Sequence, residues 1–279
     1  MFQAEANRVP ENFNPFGRAT LLYNPKATTF SPSDPDPDPY LFDDLNLAPL
    51  QEIPPFQVDQ TIRLDAMFAL FNDSVNHGAF NFSVYQFPMV PTFLTTLSTG
   101  PNATNPKVYG KYTHSNVLEY QKGIQIILVN RDTEGPHPFH LHGHVFQVVG
   151  RGELEIVDSE TFPVKYGFDY SVLPPMNNVS NPVRRDTVTV PPNGYAILRF
   201  QSDNPGIWLF HCHIQWHIQA GLAATFIEAP LEIQRNQVAT PELLDQCHRQ
   251  NIKTFGNAAG FMDVETFTGF GVPLQIVGS

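Results

Sequence analysis

The chain has 279 residues, 42% hydrophobic and 15% charged, which is enough apolar material for a buried core in one large or two small domains. A net charge of −11 disfavours nucleic acid and anionic membranes as partners and draws cations in instead. The 23 Phe and 26 Pro point to many short strands and rigid turns, not to helices.

No uninterrupted apolar run of about 18 residues occurs, so nothing reads as a bilayer-spanning helix. The start, Met1-Phe2-Gln3-Ala4-Glu5-Ala6-Asn7-Arg8, lacks the basic segment and apolar core of a secretory signal and taken alone suggests a cytoplasmic protein. Against that, Asn72, Asn81, Asn102 and Asn178 each begin an N-x-S/T sequon, which is compatible with a glycosylated exterior, and the expectation adopted is an extracellular or cell-surface location.

In chain order, residues 19–24 read as a strand. Residues 31–39 alternate Pro with Ser or Asp, which forbids ladder hydrogen bonds and repels itself, giving an extended acidic linker. Residues 40–55 continue the connection, with one helical turn between Leu41 and Leu47. From Phe56 the pattern changes to strand-like segments at 60–70, 80–87, 115–119, 124–130, 145–151, 186–190, 195–201, 207–211 and 223–228, punctuated by Asn-Pro-Gly and Pro-Pro-Asn-Gly turns. That spacing predicts an all-β, Greek-key sandwich or barrel. Residues 231–279 read as a peripheral tail with one helix over 241–249, its Glu242 and Arg249 placed to suit the helix dipole.

Two strings inside the strand-rich region carry chemistry. The first is His137-Pro138-Phe139-His140-Leu141-His142-Gly143-His144, and the second runs from Phe210 through His211-Cys212-His213 and His217 to Leu222. Imidazole and thiol are costly to bury and gain most by binding metal. In extended chain, side chains alternate faces, so His211 and His213 share one face and Cys212 takes the other. His140 and His142 likewise share a face, with His137 turned away. A soft thiolate with two imidazoles is the ligand set of a blue copper. His137, Cys212 and His217 form that set, with Leu222 at the axial position offering no donor atom, which predicts a three-coordinate, oxidising copper. His140, His142, His211 and His213 line a separate site. His144, His77, His114 and His248 fall outside the ligand pattern and are expected to pack or to support ligands.

These motifs, H-P-F-H-L-H-G-H and H-C-H-I-Q-W-H-I-Q-A-G-L, resemble those of the C-terminal part of a fungal multicopper oxidase of the iron-transport ferroxidase or laccase type. The resemblance implies a cupredoxin (plastocyanin-like) domain over 56–230, preceded by a remnant of another cupredoxin domain and the linker over 1–55, and followed by the tail over 231–279. It implies copper as cofactor, with a complete type 1 site and half of a type 2/type 3 trinuclear site. In that family eight histidines hold the cluster, half of them from an N-terminal domain. Dioxygen and Fe(II), or a phenolic substrate, follow as reactants, and the N-terminal cupredoxin domains and an iron permease as partners. A tail cysteine such as Cys247 bridges to the N-terminal domain in the family, and Asn257-Ala258-Ala259-Gly260 is similar to the ferroxidase tail. The short N-terminal segment, unpaired Cys247 and missing signal favour a truncated piece over a natural subunit that borrows the missing half.

Substrate choice turns on the type 1 mouth. Ferroxidases place carboxylates there, and hard cations prefer oxygen ligands. Asp132 matches the family's acidic position, although the loop is one residue longer and Glu134 could replace it. His77 stands where ferroxidases tend to carry an aromatic, and Gln215 where many relatives carry an acid that relays protons. The expected function is therefore the type 1 end of a multicopper oxidase, Fe(II) being favoured over phenols. A non-catalytic copper electron-transfer module is the alternative from another class.

Overall fold

Alternating burial along the strands presses two sheets together around one core. In the computed structural model, residues 43–158, 174–176 and 180–277 are described, with the backbone of the short strands at 2–3, 16–17 and 165–166. Two compact units divide the chain, Met1–Phe42 and Asp43–Ser279. In the first, β1 (Phe2–Gln3) pairs antiparallel with β2 (Phe16–Gly17). The expected strand at 19–24 and the linker at 31–39 lie outside the described residues.

The second unit continues with β3 (Gln60–Leu70), β4 (Asn76–Phe80), β5 (Ser115–Leu118), β6 (Gly123–Asn130), β7 (His137–Leu141) and β8 (Phe146–Glu153). A short pair follows, β9 (Ile156–Asp158) with β10 (Lys165–Tyr166). Then come β11 (Arg184–Arg185), β12 (Thr187–Val190), β13 (Gly194–Gln201), β14 (Gly206–Cys212) and β15 (Ala223–Glu228). One six-stranded sheet has the order β11-β8-β13-β6-β3-β4, and a five-stranded sheet has the order β12-β7-β14-β15-β5. Two pairings, β3 with β6 and β15 with β5, are parallel, so the strands cross between sheets in the Greek-key manner expected of a cupredoxin barrel. Apolar side chains from both inner faces meet between the sheets, Phe80 of β4 against Phe139 of β7 at 5.8 Å and Phe200 of β13 on Phe226 of β15 at 6.4 Å. Every residue of β6 is buried because residues 43–58 and 174–176 run over that sheet's outer side. At the crossing, Gly123 leaves no room for a side chain: a Cβ would stand 1.7 Å from the Gln57 carbonyl oxygen.

The expected strand over 80–87 is not formed; β4 instead ends at Phe80. Asn81 and Phe82 turn into the left-handed region, at φ 50 and 65. The Asn81 side chain supplies the reason, since its Oδ1 accepts from Asp65 N–H at 2.9 Å and its Nδ2 donates to the Arg63 carbonyl at 3.1 Å. An Asx side chain here replaces the ladder bonds a further strand would make. The sequence also gave no sign of helix α1 (Thr92–Ser98). Helix α2 (Gln215–Gln219) was hidden inside a ligand string, and α3 (Pro230–Asn236) follows β15 directly. Helix α4 (Pro241–Arg249) stands over the expected residues, and Thr240 caps it, its Oγ1 accepting from Leu243 N–H at 3.2 Å.

The segment after α4 is organised around Asn257, which is 1% exposed. Its Nδ2 donates to the carbonyls of Asp263 and Thr266, and its Oδ1 accepts from Ala259 and Phe261 N–H. Asn257→Ala strands these buried groups and should destabilise the protein by about 2–4 kcal/mol, read as a lower urea midpoint with an unchanged slope. A change below about 0.5 kcal/mol would show that water replaces the amide at no cost.

Candidate metal centre

The register of β7 against β14 builds the site. Cys212 pairs with Phe139, His211 with His140 and Phe210 with Leu141, so the two ligand strings lie side by side. Burial alternates along β7, with His137, Phe139 and Leu141 inward and His140 outward. On β14, Cys212 points inward and is fully buried. Helix α2 then reverses the chain within one turn and returns His217 to Cys212.

Three donor atoms converge. His137 Nδ1 lies 3.1 Å from His217 Nδ1, and Cys212 Sγ lies 3.8 Å and 3.4 Å from the two nitrogens. A point equidistant from the three sits about 2.0 Å from each, the length of a metal–nitrogen bond. Among the described residues this is the one set of three such side chains whose donors all fall within 4.8 Å of one another. A trigonal His₂Cys set fits copper. Burial pushes the Cys212 thiol up to about 11, so a metal must displace its proton on binding. Burial, and then the neighbouring His137, lower the pKa of His217, which favours its ligating neutral form.

His137 Nε2 faces Asp132 Oδ2 at 2.9 Å. Donating that N–H leaves the Nδ1 lone pair aimed at the metal position. Burial acts to raise the Asp132 pKa, but the hydrogen bonds from His137 and from Glu134 N–H, with the His137 and His217 charges, outweigh it and hold the carboxyl below its usual value. Glu134 itself is exposed, its N–H donating to Asp132 Oδ1 at 2.8 Å, so of the two acids it is Asp132 that touches a donor residue. Leu222 is fully buried, its N–H donating to the His217 carbonyl and its carbonyl accepting from Cys212 N–H. Phe68, which the sequence did not single out, packs on both imidazoles, 5.6 Å from His137 and 4.6 Å from His217.

The other four histidines gather on the opposite face of the same strands. Ring centroids of His140 lie 4.9, 5.7 and 5.6 Å from those of His142, His211 and His213. His142 Nε2 approaches His211 Nε2 at 3.0 Å. The Nδ1 atoms of His140 and His211 are occupied by the carbonyls of Asp186 and Cys212, which turns both Nε2 atoms outward. His142 and His213 are exposed. The His211 Nδ1 bond to the Cys212 carbonyl, at 2.9 Å, links the second site to the residue carrying the sulfur. His144 takes no part, pairing with Glu228 at 2.7 Å, and His114 bonds the Ser83 carbonyl. His248 is exposed. Gln215 opens α2 on the surface. Cys247 is free and buried against Val90 and Leu94.

A family model described as multicopper oxidase matches residues 86–232. The iron transport multicopper oxidase fetC of Epichloe festucae is 40% identical over 250 residues, covering 87% of this chain and 39% of that protein. The iron multicopper oxidase fer1 of Mycosarcoma maydis is 40% identical over 264 residues, covering 94% and 40%. Among solved structures, Fet3p, described as a multicopper oxidase that functions in iron import, superposes with a TM-score of 0.76 at 36% identity, covering 90% of this chain and 47% of that one. A laccase from Botrytis aclada gives 0.55 at 25% identity, covering 84% and 39%. The chain thus spans 39–40% of the length of these curated relatives.

Proposed function

The chain belongs to the multicopper oxidase family, and on that premise we propose that it forms the type 1 copper end of an iron-transport oxidase, accepting single electrons from Fe(II). The observation that carries this reading is the convergence of His137, Cys212 and His217 around one point, with His211 and His213 flanking the sulfur ligand. Copper bound there would supply one-electron redox chemistry at an oxidising potential, the axial Leu222 giving no fourth donor. Cys212 is the exit, because the residues on either side of it reach the second face. His140, His142, His211 and His213 are half of a trinuclear site on this reading, and the other four ligands come from cupredoxin domains outside these residues. Dioxygen reduction to water needs four electrons, so the chain alone stores too few to complete it.

Fe(II) is favoured over a phenol by the ionised Asp132 on the outer nitrogen of His137, and by the names of the relatives. A hard cation gains from that oxygen, whereas a neutral phenol gains little. An extracellular or cell-surface location, beside an iron permease, is consistent with the exposure of the sequon residues Asn72, Asn81 and Asn102; Asn178 lies outside the described residues.

Stopped-flow reduction of the copper-loaded chain tests this reading. The blue band should bleach with Fe(II) and with a phenol in a single turnover, with no sustained oxygen consumption. Asp132→Ala should slow the Fe(II) reaction at least about tenfold relative to the phenol reaction, about 1.4 kcal/mol of discrimination. Equal effects on both would remove Fe(II) as the preferred donor, and continuous oxygen uptake by this chain would contradict the half-cluster.

A further inference from the structure

The second residue of β4 is a histidine that faces two acceptors. His77 Nδ1 lies 3.2 Å from the Ala220 carbonyl oxygen, and Nε2 lies 2.8 Å from Asp73 Oδ2. A carbonyl and a carboxylate cannot donate, while a neutral imidazole carries a single N–H. The ring thus bridges the Ala220 carbonyl and the Asp73 carboxylate, and the carboxylate makes the Nε2 contact a charge-assisted bond. The side chain is 18% exposed, with Phe71 edge-on at 5.5 Å, and Asp73 is fixed in turn by accepting Val75 N–H at 3.1 Å.

What His77 grips is the short segment between His217 and Leu222. The Ala220 carbonyl also accepts from Gly78 N–H at 3.1 Å, and the Gly221 carbonyl from Tyr85 N–H at 3.1 Å. Leu222 N–H returns to the His217 carbonyl at 3.0 Å. The approach is close enough that a Cβ on Gly78 would stand 3.0 Å from Leu222 Cβ. One end of this segment is thus a donor of the trio and the other is the apolar axial residue, and both are held from outside by β4 and the residues following it. The potential of a blue copper depends on what occupies its axial position.

We propose that His77, oriented by Asp73, is a positioning residue for the metal centre: it pins the Ala220 carbonyl so that Leu222 stays against Cys212 and His217 and oxygen donors are kept from the axial position. This rests on the type 1 reading of the trio. The pin works from the outer start of β4, so it can be removed without touching a ligand or the core between the sheets.

His77→Phe keeps a ring against Phe71 and removes both hydrogen bonds; Asp73→Asn, at an exposed turn, removes the carboxylate charge and leaves one acceptor oxygen for the two groups Val75 N–H and His77 Nε2. In the copper-loaded chain at a fixed redox poise, His77→Phe should raise the Cu(II)/Cu(I) ratio about tenfold, which is about 59 mV for a one-electron couple. Asp73→Asn should shift it in the same direction by less. In the metal-free protein, Gly78 and Leu222 amides should exchange with solvent at least tenfold faster in His77→Phe. A parent chain with no thiolate-to-copper band overturns the site reading and this proposal with it. A parent with the band, and variants that match it in potential and exchange, overturns the proposal alone. Should His77→Phe not fold, an unshifted potential in Asp73→Asn suffices to overturn it.

Discussion

Cys212→Ser should abolish the intense visible absorption of the copper-loaded chain and weaken copper retention at least about tenfold, while leaving the fold intact. The colour of a His₂Cys copper comes from thiolate-to-metal charge transfer, and a serine hydroxyl offers neither the soft sulfur nor an ionised donor near neutral pH. Serine is close in volume to cysteine, and the site it would enter lies against Phe139 among fully buried apolar side chains, so packing is nearly preserved. The hydroxyl can bond a nitrogen of His137 or His217, which are 3.8 Å and 3.4 Å from the present sulfur. Stability should therefore change by no more than about 1–2 kcal/mol. Absorption spectra with metal analysis after dialysis decide it. A serine variant that keeps both colour and copper would show that the ion is held elsewhere, and the electron exit assigned to His211 and His213 would lose its origin.

The two ligand strings were legible because each is local. Parity along an extended chain assigns His140 and His142 to one face and His137 to the other, and β7 realises that parity in its burial. Their pairing in register was not legible, since no local signal says that residue 212 meets residue 139. The same limit hid Phe68, whose contact with His137 and His217 joins residues far apart in sequence. It also hid His77, which looked like a departure from a family pattern and instead bonds the loop carrying Leu222. Asp132 and Glu134 could not be ranked from sequence. An Asx turn places them differently, Asp132 Oδ1 capping Glu134 N–H while Oδ2 meets His137. Helix α4 announced itself through Glu242 in its first turn and Arg249 in its last, whereas α2 was obscured by the chemistry of its own residues.

Glu228→Ala should cost about 3–5 kcal/mol and lower the melting temperature by roughly 6–20 °C, the largest stability effect expected of a residue that binds no metal. Glu228 is fully buried, its Oε2 accepting from His144 Nε2 at 2.7 Å and its Oε1 from Asn204 N–H at 2.6 Å. Burial raises its pKa, and the His144 hydrogen bond and charge only partly oppose this. Alanine leaves the imidazole and an amide N–H unpaired beside a cavity, and each of those adds to the loss. The damage does not stay local. His144 packs at 4.7 Å on Phe200 and edge-on to Trp208, and Gly143, at φ +72, admits no Cβ because the Trp208 ring lies 2.5 Å from where it would be. The turn after His142 is thus clamped from three sides, and Glu228 is the polar one. Converting both partners, His144→Phe with Glu228→Leu, should recover at least half of the loss, because two apolar side chains leave no uncompensated charge. Urea titration of the single and double variants separates the two contributions. A single variant within about 1 kcal/mol of the parent would show that the pair contributes nothing, and a double variant no better than the single would place the cost in packing instead of in the lost ion pair.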